Sequence, residues 1–122
     1  MPFDCMPSNA TPGYEMLPYE TTYILESVER LLLKPRHWTK AVMESGPWWN
    51  RRYCLVGALV HVTRRKRCIQ SFPEVRNHLN NVANRYGFPT IEALNDHQDT
   101  THNMVMHVLR EAIQQAEVVQ LR

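Results

Sequence analysis

The run Tyr53-Cys54-Leu55-Val56-Gly57-Ala58-Leu59-Val60 is the longest uninterrupted apolar stretch in the chain. The segment that contains it, Arg51 to Thr63, has no polar stripe through its middle on a helical wheel, so it calls for cover from all directions. Val56, Val60 and Val62 would suit a strand, but 13 residues is long for one, and Cys, Leu and Ala suit a helix. A central helix over 51–64 is expected. Gly57 in its interior costs about 0.5–1 kcal/mol relative to Ala, so a neighbouring element is expected to approach closely there. With 122 residues the chain can build one core around this segment, not two.

The covering elements read as helices. Ile24, Leu25, Val28, Leu31 and Leu32 form one stripe, with Thr21 or Thr22 as the expected cap and Pro35 as the stop. Ser71-Phe72-Pro73-Glu74 has the form of a capping box; the stripe Val75, Leu79, Val82, Tyr86 follows it and Gly87 ends it. A short turn is expected to hold Ile91 and Leu94. Val105, Val108, Leu109, Ala112, Ile113 and Ala116 make the last stripe, with Asp99 or Thr100 as its cap. Between Arg36 and Asn50, three tryptophans surround a Gly46-Pro47 break. That connection is expected to be irregular, with at most a short helix near Lys40 to Met43, and no strand-turn-strand signal appears in the chain. The expected fold is all-α: a compact bundle of about four main helices, over about 21–34, 51–64, 73–86 and 101–119, forming a single domain over 21–119. Four of the eight prolines and three acids, without a Lys or Arg, fall in residues 1–20, which reads as a flexible tail.

Charge is unevenly spread. The chain totals +2, yet residues 21–122 carry +5, and Ser45 to Pro73 holds six basic side chains and no acid. Residues 74–122 sum to −2. No apolar run approaches the roughly 18 residues of a membrane span, and the N-terminus has no secretory pattern. Three cysteines without metal-type spacing suggest a reduced, cytoplasmic setting.

Three blocks carry a family likeness: Arg36-His37-Trp38-Thr39, Tyr53 to Leu59, and Leu94-Asn95-Asp96 followed by Thr101, Val105 and Leu109. In order and spacing they resemble the W-T, C-x-x-G-A-L and N-D-x-x-x-x-T-x-x-x-V blocks of a small, mostly bacterial and phage-associated domain of unknown function. The likeness covers roughly residues 22–117. Leu94 departs from it, since the family more often has an aromatic residue there. The resemblance implies a compact helical domain and supplies no activity. Its motif residues Trp38, Thr39, Cys54, Gly57, Asn95, Asp96 and Thr101 are expected to be structural.

Candidate chemistry is weighed against that background. Cys54 in a first helical turn near Arg51 and Arg52 would be an activated thiolate, although a small buried core residue is the simpler role. Asp96, His97, Asp99 and His102 lack a recognised metal spacing, so no metal and no cofactor are expected. Asp96 and Thr101 are expected to tie their loop to the last helix, reaching Trp38 or Arg52. Arg51, Arg52, Arg64, Arg65, Lys66 and Arg67, with Trp48 and Trp49, are the candidate binding residues. They suit an interaction module for an acidic protein partner. The alternative is binding of nucleic-acid phosphates without sequence readout, and an enzyme or ligand pocket around Cys54 and Asp96 comes third.

Overall fold

The structure, a computed structural model, describes residues 18–120. The expected tail therefore lies outside the described residues up to position 17. Among the described residues five α-helices are joined by short 3-10 turns and one small hairpin: α1 (Pro18–Leu32), β1 (Glu44–Ser45), β2 (Arg52–Tyr53), α2 (Leu55–Arg65), α3 (Phe72–Arg85), α4 (Ile91–Asp96) and α5 (His102–Gln120). The fold is mainly helical, as the apolar stripes predict. Among the described residues no helix is long and apolar enough to cross a membrane.

The core lies where the predicted stripes meet. Ile24, Leu25, Val28 and Leu32 of α1, Leu55 and Leu59 of α2, Val75 and Leu79 of α3, and Val105, Val108 and Leu109 of α5 are fully buried. α1 rests chiefly on α5 and α2, and α3 on α5. Burying a Leu, Ile or Val side chain stabilises by about 1.5–3 kcal/mol each, so these stripes supply the main driving force. α4 adds Ile91 and Leu94 to the same core.

Several boundaries differ from expectation. α1 begins at Pro18, three residues early, so Thr21 and Thr22 are buried inside the helix instead of capping it. Proline is tolerated in a first turn because its missing N–H has no helical partner there. Residues 18–20 thus belong to the domain and not to a tail. The central helix starts at Leu55 instead of Arg51, because Arg52 and Tyr53 pair with Glu44 and Ser45 as a hairpin that the sequence did not announce. Cys54 is its N-cap, in extended conformation, with Sγ accepting the Gly57 N–H. Nor is α2 covered on all sides: Val60 and His61 stay half-buried along one flank.

Ser71 makes no capping bond, because the 3-10 turn Ile69–Ser71 runs straight into α3 and leaves Ser71 helical. Tyr86 is the C-cap of α3 and partly exposed, and Gly87 ends the helix in the left-handed region at φ +90°, as expected. Thr101 caps α5, its hydroxyl accepting the Met104 N–H at 3.2 Å, in place of Asp99 or Thr100. Lys40 to Met43 forms no helix; Ala41 has φ +72°, which breaks any such turn.

Candidate functional site

The connection from α1 to α2 is irregular in path but closely held. Its anchor is Asn95, near the end of α4 and almost fully buried. Asn95 Oδ1 accepts the Trp38 indole N–H at 2.7 Å and the Leu55 N–H at 3.1 Å. Its Nδ2 donates to the Thr39 carbonyl at 3.1 Å and to Asp96 Oδ1 at 2.9 Å. One amide thus satisfies an indole, a first-turn N–H that would otherwise lack a partner, and a loop carbonyl. Asp96 Oδ1 also accepts the Ala41 N–H at 2.9 Å, which holds the left-handed turn at Ala41. Thr39 N–H donates to the Tyr53 carbonyl, and Lys40 Nζ to the His97 carbonyl.

The next contact explains Gly57. The Met43 carbonyl accepts the Cys54 N–H at 3.1 Å and lies where a Cβ on Gly57 would come within 1.9 Å of it. Only glycine permits that approach. The close neighbour expected at Gly57 is therefore loop backbone.

From this base the hairpin projects outward. Glu44 pairs with Tyr53 and Ser45 with Arg52. Gly46, at φ +85°, and the turn Trp48–Asn50 close it. Trp48 and Trp49 are 84% and 71% exposed, their rings edge to face at 5.7 Å. Val42 and Met43, about half exposed, lie just before β1. Arg51 pairs with Glu44 at 3.2 Å and donates to the Gly46 carbonyl, so its charge is answered inside the hairpin.

Beside the hairpin a groove of about 250 Å³ runs along the open flank of α2, lined by Met43, Glu44, Gly57, Val60, His61, Arg64 and Arg65. Next to it the Tyr53 hydroxyl stands 3.4 Å from His61 Nδ1, the rings 4.9 Å apart. Burial pushes the Tyr53 hydroxyl above its usual pKa, with a smaller push from Glu44 against Arg51 and Arg65. Burial likewise holds His61 below the ordinary imidazole value, reinforced by Arg65 and opposed by Glu44. Both rings are neutral at pH 7.

The predicted basic residues divide. Arg52, Arg64 and Arg65 are exposed and have no carboxylate partner among the described residues, whereas Arg76, Arg85 and Arg110 are paired with Glu92, Glu111 and Glu29. Lys66 lies over the Tyr23 ring at 5.3 Å, and Arg67 takes the left-handed position that ends α2, at φ +57°. Arg51 and Arg52 stand on the hairpin and not in the first turn of α2. Arg51 and Arg65 both act on the Tyr53 hydroxyl, which puts hairpin and helix charges on one face.

The remaining candidates are occupied structurally. Cys54 is a free, buried thiol pushed above its ordinary pKa mainly by burial, with Asp96 adding to the rise, the opposite of an activated thiolate. Cys68 is disulfide-bonded, which departs from the reduced state expected of the cysteines. His97 accepts the Asp99 N–H, and His102 Nε2 meets the Leu32 carbonyl at 2.7 Å. No group of three or more His, Cys, Asp or Glu that could hold a metal occurs among the described residues. Thr101 serves its own helix and does not reach Trp38 or Arg52; Asn95, not Asp96, binds Trp38. Asn95 was among the motif residues expected to be structural, but the anchoring role was expected of Asp96, and the Tyr53–His61 pair had no signal in the sequence. The adjacency of Asn95 to Asp96 in the third block was the available signal.

A family model described as a family of unknown function, DUF6197, matches residues 16–115. No curated protein and no solved structure matches the chain.

Proposed function

The chain belongs to the DUF6197 family, and we propose that it works as a helical interaction module that docks an acidic protein segment on the face formed by the hairpin and the open flank of α2. One observation carries this reading: two indoles, edge to face, are held in solvent at the tip of the hairpin whose second strand carries Arg52, exposed and without a carboxylate partner among the described residues. A tryptophan can bury roughly 150–250 Å², and leaving two exposed forgoes that gain in the free protein. Trp and Arg are the side chains most enriched among residues that dominate binding energy at interfaces. The uncompensated Arg52, Arg64 and Arg65 supply the matching electrostatic preference for acids. The sequence blocks support placing the module among bacterial or phage accessory proteins.

A second reading draws on the same indole pair, because exposed aromatic rings near arginine also serve as stacking platforms for single-stranded bases. Anisotropy titration of a labelled acidic peptide and of a labelled single-stranded oligonucleotide, each at two salt concentrations, separates the two. The module reading expects the peptide to bind more tightly, with Trp48→Ala weakening it; preference for the oligonucleotide would replace it with the nucleic-acid reading. An enzyme built on Cys54 has the least support, given its burial and raised pKa.

A further inference from the structure

We propose that the groove beside α2 is the anchor pocket of this docking face and takes a single Asp or Glu side chain of the partner segment. The inference rests on the docking reading above and goes beyond it in assigning a pocket and the group that fills it. Arg64 and Arg65 form its basic wall, exposed and without carboxylate partners among the described residues. Met43 and Val60 offer apolar surface for the methylene stem of an acidic side chain. Glu44 also lines the groove, but it is tied to Arg51 at 3.2 Å, so its charge is already answered. The remaining titratable lining group is His61, flanked by the Tyr53 hydroxyl, Arg65 and Glu44 and held below the ordinary imidazole value by burial.

The arrangement has a pH signature. His61 is neutral at pH 7, and a carboxylate bound beside it favours its protonated form. Binding therefore raises the His61 pKa and tightens as pH falls toward 6.

The test uses the full chain and a labelled peptide of alternating glutamate and leucine, followed by anisotropy and by NMR of the His61 ring. The paired substitution Arg64→Gln and Arg65→Gln lies on exposed positions and is expected to leave the fold intact, checked by circular dichroism. It should weaken the peptide about tenfold, while the His61 titration midpoint moves up on peptide binding to the wild type. If the peptide binds, Trp48→Ala weakens it, and neither the arginine pair nor the His61 midpoint responds, the pocket is refuted and the docking reading stands. If the peptide fails to bind at low salt, both are refuted. A preference for an oligonucleotide with the same arginine dependence would also overturn the assignment to an acidic side chain.

Discussion

Asn95 and Asp96 are neighbours with unequal weight. Replacing Asn95 with Ala strands the Trp38 indole N–H, the buried Leu55 N–H and the Thr39 carbonyl. Unsatisfied buried groups cost about 1–3 kcal/mol each, so Asn95→Ala is expected to destabilise by about 3–5 kcal/mol in urea unfolding. Asp96 is exposed, and Asp96→Ala removes acceptors from Ala41 N–H and Asn95 Nδ2, a loss of about 1 kcal/mol. Equal effects would contradict the hub. Cys54 should react slowly with a thiol reagent in the native protein at neutral pH, since burial raises its pKa and its sulfur accepts the Gly57 N–H; labelling at the rate of an unfolded control would contradict that environment. His61 sets a stability term of definite sign. Its folded pKa lies below the unfolded value, so the unfolded chain binds the proton more readily. Stability is then fully present above about pH 6.5 and falls as pH drops through the folded pKa. His61→Gln should flatten that part of a melting-temperature profile measured from pH 7.5 to 5.

Helices and loops differ in how far their residues declared them. The stripes of α1, α3 and α5 repeat at helical spacing, and they bury the side chains they predicted except Tyr86, exposed at the end of α3, and Leu31, partly buried on α1. Gly57 announced a close approach within an apolar helix, and the Met43 carbonyl makes it. The hairpin gave no such signal because its strands are two residues long, too short for alternation to show. Its path depends on Asn95, 40 residues beyond Leu55, a partnership that no local pattern encodes. For the same reason the first turn of the expected central helix became strand and cap. The hairpin tip carries exposure and not stability, so Trp48→Ala with Trp49→Ala should change the unfolding free energy by no more than about 0.5 kcal/mol. The same change should remove most acrylamide-quenchable fluorescence and leave the emission of Trp38, whose indole is bonded to Asn95. A large loss of stability would mean that the tip packs on the domain.

Across the molecule, charge pairing separates two faces. The α3–α5 side neutralises its arginines with Glu92, Glu111 and Glu29, whereas the hairpin and α2 leave Arg52, Arg64 and Arg65 without carboxylates among the described residues. The acid-free stretch from Ser45 to Pro73 already located this asymmetry along the chain; the fold adds that Arg64 and Arg65 line one groove, beside the Glu44 that holds Arg51. On the docking reading proposed above, the attraction of the exposed guanidinium groups for acids is screened by salt. Chemical-shift mapping of the isotope-labelled protein with an acidic peptide at low salt tests this most directly. Perturbations should concentrate on residues 42–53 and 57–65, including the Trp48 and Trp49 indole N–H signals. Shifts confined to the α3–α5 side, or none at saturating peptide, would contradict it.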